Sequence, residues 1–70
     1  MATYVTLSIK LSDSANWIAQ DADGDWYEYK LKPNSYRNEV AWEPNEFDDD
    51  YRTVAKGTPN KEWKDTLQEV

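Results

Sequence analysis

The segment DADGDW, residues 21–26, places three aspartates at alternate positions beside a glycine. This spacing matches the first three ligands of a helix–loop–helix calcium loop. Such a loop also needs glycine at its sixth position and a bidentate glutamate at its twelfth. The chain has Trp26 and Lys32 at these two places. Because the closing ligand would be a cation, we predict that the segment holds no metal, and we expect no cofactor elsewhere.

The same segment contains Asp23-Gly24, a dipeptide favoured in the two-residue primed turns of β-hairpins, where glycine accepts a positive φ without steric cost. The flanking segments NWIAQ and DWYEYKL are rich in aromatic and β-branched residues, which favour strands. We therefore predict a hairpin over residues 17–31, with Gly24 as the residue of the turn that cannot be replaced.

Alternation of apolar and polar residues predicts two further strands. Residues 3–11 alternate Val5, Leu7, Ile9 and Leu11 with polar side chains, which is typical of a strand with one buried face. Residues 36–42 alternate in the same way, although a short helix there is an alternative. KPNS, residues 32–35, predicts a turn.

The C-terminal segment has features of a short helix. Thr58 and Pro59 match an N-cap and a first helical position. Trp63 and Leu67 lie four residues apart, and Val70 follows three later, which would place all three on one helical face. The predicted fold is a single small α+β domain, residues 1–70: an antiparallel sheet of three or four strands closed by this helix.

Composition limits the possible functions. The chain has 70 residues with no cysteine and no histidine, so it offers no disulfide, no thiol nucleophile and no group that normally titrates near neutrality. No segment is apolar over the roughly 20 residues that span a bilayer. We expect a soluble protein of a reducing cytoplasm, with no membrane partner.

Acidic residues are concentrated in the middle of the chain. The net charge is -6, and residues 21–50 hold ten acids against three bases. Such a surface repels nucleic acid phosphates and attracts basic proteins, so we expect no direct binding to nucleic acid. The densest run, EFDDDY (residues 46–51), is either a solvated loop or a contact surface for a basic partner.

An exposed aromatic side chain beside carboxylates would suit a protein-binding hot spot. Trp26 and Tyr27 must point to opposite faces of a strand, so one of them is expected to lie outside the main core. The predicted partner-binding residues are Trp26, Glu43, Glu46, Asp48, Asp49 and Asp50.

Catalysis is not predicted. No carboxylate lies in an apolar stretch that would raise its pKa, and the two glycines, Gly24 and Gly57, form no phosphate-binding loop. We expect a protein that is not an enzyme.

The segment WIAQDADGDWYEYKLKP, residues 17–33, together with EWKDTL, residues 62–67, resembles small accessory proteins of tailed bacteriophages. The shared pattern comprises Trp17, Ala19, Asp21, Asp23, Gly24, Tyr27, Tyr29, Lys32 and Pro33. The resemblance covers about a third of the chain and implies a phage origin. It also implies a role found in some such proteins, which bind and inhibit a host enzyme such as RNA polymerase or a defence nuclease.

The expected function is thus that of a phage-encoded, non-enzymatic protein of the host cytoplasm, which modulates or inhibits a host bacterial protein with a basic surface. One alternative is an inhibitor that imitates phosphates with Asp48, Asp49 and Asp50 and competes with nucleic acid. Another is a structural or assembly component of the virion. The sequence does not separate the three, and it leaves the oligomeric state open.

Overall fold

The computed structural model describes residues 10–37 and 40–70 of the chain. These ranges contain β1 (Trp17–Gln20), β2 (Asp25–Tyr29), β3 (Tyr36–Arg37), β4 (Ala41–Trp42), β5 (Arg52–Lys56), a 3₁₀ turn (Trp63–Asp65) and β6 (Gln68–Glu69). One antiparallel sheet has the order β5-β2-β1-β6, and β3 pairs with β4 in a separate two-stranded ladder.

The hairpin predicted around Asp23-Gly24 is confirmed as β1 and β2. The Asp21 N–H donates to the Asp25 carbonyl, and the Gly24 N–H donates to the Asp21 carbonyl, each at 2.9 Å. The loop therefore has three residues, one more than the two-residue turn that we predicted. Gly24 has a φ of 100°, the left-handed conformation that closes a three-residue hairpin loop.

The two glycines of the chain lie against each other. The Gly57 N–H donates to the Gly24 carbonyl at 3.0 Å, just beyond the end of β5. A Cβ added to Gly24 would lie 2.4 Å from the Gly57 carbonyl oxygen and 2.6 Å from the Thr58 carbonyl carbon. A side chain at Gly24 would therefore force the hairpin loop and the end of β5 apart.

The core lies on one face of the four-stranded sheet. The β1–β2 register places Trp17 opposite Tyr29 and Ala19 opposite Tyr27, so these four side chains share that face. The buried residues of the core are Ala19, Tyr29, Trp42 and Trp63. The rings of Trp42 and Trp63 meet edge to face with centroids 6.3 Å apart, so β4 and the 3₁₀ turn cover β1 with aromatic surface.

Gln20, at the end of β1, is buried and links four segments of the chain. Its side-chain amide donates to the carbonyls of Gly24 and Thr58, and its side-chain oxygen accepts from Asn60. Its backbone carbonyl accepts from the Trp42 indole at 3.0 Å. Because a buried amide is costly unless it is bonded, these contacts fix how the segments assemble.

The predicted α+β class and the C-terminal helix are wrong, because the described residues contain a single 3₁₀ turn and no helix beyond it. The Thr66 hydroxyl donates to the Trp63 carbonyl at 2.6 Å, and the Thr66 N–H donates to the same oxygen. In an α-helix, the N–H of Leu67 would donate to this same carbonyl, which the Thr66 side chain already occupies. The chain then leaves the turn and pairs with β1 as β6.

The strand predicted over residues 36–42 is also wrong. The chain reverses there, so that Tyr36 pairs with Trp42 and Arg37 with Ala41 in an antiparallel ladder. Residues 32–35 form no regular turn; the Asn34 N–H donates to the Glu43 carbonyl, and the Glu43 N–H donates to the Ser35 carbonyl. These bonds extend the β3–β4 ladder.

Two differences from the prediction concern β5 and the strand predicted over residues 3–11. β5 was not predicted, and its register against β2 shifts between Trp26 and Tyr27, leaving Val54 as the extra residue of a bulge. The strand predicted over residues 3–11 lies largely outside the described residues.

Candidate functional site

Two aspartates of residues 21–25 accept structural hydrogen bonds, one that joins β4 to the hairpin and one within the hairpin loop. The Asp21 carboxylate accepts the Trp42 N–H at 2.9 Å, and the Asp23 carboxylate accepts the Asp25 N–H at 3.0 Å. Burial raises the pKa of Asp21; the hydrogen bond from Trp42 opposes this shift, and the charges of Asp23 and Asp25 add to it. Among the described residues, no three potential ligands converge on a point where a metal ion would sit.

Glu28 forms a buried polar cluster on the face of the sheet opposite the aromatic core. Its carboxylate accepts hydrogen bonds from the backbone N–H and the hydroxyl of Ser12, and Arg52 approaches to 3.3 Å. Burial raises the pKa of Glu28, but these donors outweigh it, and the pKa lies below its ordinary value. The cluster attaches the segment before β1 to the sheet, a structural task.

The acidic loop, residues 43–51, is held by the carboxylate of Asp48, which is 4% exposed. One oxygen accepts the backbone N–H groups of Lys30 and Leu31 at 2.9 and 3.0 Å, and the other accepts that of Asp50 at 3.0 Å. Hydrogen bonds to an ionised acceptor are about twice as strong as neutral ones. Asp48 therefore attaches the acidic loop to the end of β2.

The other predicted contact carboxylates remain at the surface of the acidic loop. Glu46, Asp49 and Asp50 are exposed, and Glu43 is half-buried. Asp50 lies 3.9 Å from the Lys30 ammonium in an exposed ion pair, an arrangement that contributes little to stability. Of the five carboxylates predicted to contact a partner, Asp48 alone faces inward. The run of three aspartates therefore does not present three adjacent charges at the surface.

Trp26, the sixth predicted contact residue, is half-buried in the central strand β2. It lies opposite Gln20 of β1 and Ala55 of β5 in the register, and its indole nitrogen is near Gly57. The structure therefore places Trp26 among residues that hold the sheet together. Its role in binding a partner stays a prediction.

Phe47 was missed by the sequence analysis. Its side chain is 76% exposed, the most exposed among the large hydrophobic residues described. Its neighbours two positions away, Asn45 and Asp49, are both polar, so no alternation places it on a buried face. That local pattern is the signal that would have identified it.

Tyr29 and Tyr51 connect the acidic loop to the core. Their rings stack with centroids 6.1 Å apart; Tyr29 is 1% exposed and Tyr51 is 46% exposed. Burial raises the pKa of Tyr29 above its ordinary value of 10.0, so its hydroxyl stays protonated at neutral pH. The loop is thus supported by an aromatic contact at one end and by Asp48 in its middle.

A shallow cleft of about 410 Å³ lies between the hairpin loop and the segment that leads into the 3₁₀ turn, lined by Ala22, Pro59, Asn60, Lys61 and Trp63. Lys61 is the ionisable side chain in this lining. The amide of Asn60 is engaged by Gln20, and Trp63 belongs to the core. The cleft therefore brings together no acid and base that would move a proton on a substrate.

Comparisons with protein-family models, with curated proteins and with solved structures give no match for the chain. The bacteriophage resemblance therefore stays a prediction. Over residues 10–37 and 40–70, no helix is long and apolar enough to cross a membrane.

Proposed function

We propose that the chain is a non-enzymatic binding protein that engages a basic protein surface through the acidic loop and modulates its partner. In the bacteriophage setting that the sequence suggests, the partner is a protein of the bacterial host. This proposal is supported by one observation: the loop exposes carboxylates on a backbone that the buried Asp48 carboxylate holds by hydrogen bonds.

Fixing the backbone matters because binding must order every group that it uses. Fixing the backbone of one residue costs roughly 1–2 kcal/mol of conformational entropy. In the acidic loop, the Asn45 carbonyl and side chain already accept the N–H groups of Asp48 and Phe47 at 2.9 Å each. Much of the ordering cost of the backbone is therefore met when the chain folds.

The charge of the loop supports a basic partner. Glu46, Asp49 and Asp50 are exposed close together in the chain, inside the region that carries most of the acidic residues. Exposed charges of one sign speed the encounter with a surface of the opposite sign, and salt screens this effect. Binding is therefore expected to weaken as ionic strength rises.

The test compares two variants with the same change in net charge. One carries Glu46→Gln, Asp49→Asn and Asp50→Asn in the loop; its matched control carries Asp13→Asn, Glu62→Gln and Glu69→Gln at exposed positions outside it. Each tagged protein is used to capture partners from bacterial lysate at low and at moderate salt, with quantification by mass spectrometry.

We expect the wild type and the control to retain a stoichiometric host protein at low salt, and the loop variant to retain about tenfold less. Failure of the wild type to capture any stoichiometric protein would overturn the proposal. So would an equal loss in both variants, since that would show a dependence on net charge and not on the loop.

A further inference from the structure

Three exposed apolar side chains lie on the two segments that the Asp48 carboxylate joins. Five large hydrophobic side chains among the described residues are exposed: Leu31, Val40, Phe47, Tyr51 and Val70. Three of these, Leu31, Phe47 and Tyr51, lie on the segments that Asp48 joins, and they are named here the Phe47 patch. The Leu31 N–H donates to the Asp48 carboxylate, and Phe47 directly precedes Asp48 in the chain. The Tyr51 ring stacks on that of Tyr29, which lies two residues before Leu31.

Single exposed hydrophobic residues are common on protein surfaces and need no functional explanation. Phe47 differs because the backbone on both sides of it is held. Its own N–H donates to the Asn45 side chain, and the next residue is buried and bonded to Lys30 and Leu31. These hydrogen bonds fix the backbone that carries the exposed ring.

We propose that Phe47 is the anchor of the interaction and inserts into an apolar pocket of the partner protein that is rimmed by lysine and arginine. This inference rests on the proposed function and names the chemistry of its partner. Interface hot spots are typically buried apolar or aromatic anchors surrounded by a polar rim that excludes water. Here the anchor is the ring of Phe47, and the rim is formed by Glu46, Asp49 and Asp50.

Charge decides between this partner and other occupants of the patch. A second copy of the chain would bring a net charge of -6 against an equal charge, which opposes association. Anionic lipid surfaces and nucleic acid phosphates repel the same rim. A basic protein surface is the occupant that both the rim and the ring favour.

The experiment separates the ring from its rim. Phe47→Ala removes the anchor, and Val40→Ala is the matched control, since Val40 is 55% exposed on the β3–β4 hairpin. Both variants are checked for wild-type stability and then compared in capture from bacterial lysate at low salt. We expect Phe47→Ala to lower recovery of the partner by about thirtyfold and Val40→Ala to leave it unchanged.

A photoreactive benzoylphenylalanine placed at position 47 then identifies what the ring touches. We expect cross-links to apolar residues of the captured protein that lie among its lysines and arginines. Wild-type recovery by Phe47→Ala would overturn this inference while leaving the proposed function standing. Cross-links to another copy of this chain, or to a site without basic residues, would overturn it too. If the wild type captures no partner, both proposals fail together.

Discussion

The β1–β2 hairpin and the acidic loop both contain three aspartates within a few residues, and in each region one aspartate accepts an N–H distant in the chain: half-buried Asp21 in the hairpin and buried Asp48 in the acidic loop. In the hairpin, Asp21 accepts the N–H of Trp42, 21 residues later, and Asp23 accepts an N–H two residues away. Gly24 supplies the conformation that closes the loop. In the acidic loop, Asp48 accepts N–H groups 17 and 18 residues earlier in the chain. Density of charge therefore does not tell which carboxylate is internal, because long-range contacts decide it.

The largest effect is expected from breaking the hairpin loop. Gly24→Ala combines the strain of a positive φ with a Cβ 2.4 Å from the Gly57 oxygen, and it should cost about 3 kcal/mol or more. Urea unfolding followed by tryptophan fluorescence measures this.

Gly57→Ala is the companion variant for that measurement. Its Cβ would lie 2.9 Å from the Gly24 oxygen and 3.2 Å from the Gln20 amide, so its cost should be smaller. A Gly24→Ala protein as stable as the wild type would mean that the two glycines do not meet as described.

The second prediction tests the internal carboxylate of the acidic loop. Asp48→Asn places an amide where backbone N–H groups converge, and it should lower the free energy of unfolding by about 2–3 kcal/mol. Asp49→Asn, one position later and exposed, should change it by less than about 0.5 kcal/mol. Equal effects of the two variants in urea unfolding would contradict the inward orientation of Asp48.

This result also affects the phosphate-mimic alternative. Neutralising Asp48, Asp49 and Asp50 together would combine a loss of charge with a loss of stability, so that a loss of competition with nucleic acid would have two explanations. Variants restricted to Glu46, Asp49 and Asp50 avoid this ambiguity, because all three side chains are exposed.

The smallest effect concerns pH, and it distinguishes the two ends of the hairpin. Because the pKa of Glu28 is lowered in the folded state, ionised Glu28 stabilises the fold above its ordinary pKa of 4.5. This contribution is lost as the pH falls through the folded pKa. Glu28→Gln should therefore cost about 1–2 kcal/mol near neutrality, and the difference from the wild type should shrink in acid.

The pKa shift of Asp21 has the opposite sign to that of Glu28, so Asp21 serves as the control. Its pKa is raised, so its contribution is present below its ordinary value of 3.8 and is lost as the pH rises through the folded pKa. Asp21→Asn should therefore gain stability relative to the wild type as the pH rises. Urea unfolding between about pH 3 and pH 7 measures both profiles, and parallel profiles for the two variants would contradict the assigned shifts.

The sequence predicts the hairpin because its signals are local. Asp23-Gly24 supplies the bend, and aromatic residues on both sides supply the strands, so no distant residue is needed to recognise it. The C-terminal helix fails for a different reason. The spacing of Trp63 and Leu67 is typical of a helix, but the Thr66 side chain ends the turn and the sheet pairs the residues that follow.

The candidate site is less predictable than the fold. The run of carboxylates predicts an acidic surface, and the exposure of Glu46, Asp49 and Asp50 agrees with it. The inward position of Asp48 depends on where the backbone of Lys30 and Leu31 lies. The inward position of Asp48 therefore cannot be read from residues 43–51 alone, whereas the polar residues two positions to either side of Phe47 already favour its exposure.

The position of β1 in the sheet has a consequence for how the chain acquires its structure. Trp17 lies opposite Tyr29 on one side and opposite Glu69 on the other. A ribosome must have made residue 69 before β1 can be paired along both edges, and an isolated two-stranded hairpin is only marginally stable in water. Pairings that are distant in sequence slow folding. We therefore expect the pairing of β1 with β6 to form later than the pairing of β1 with β2.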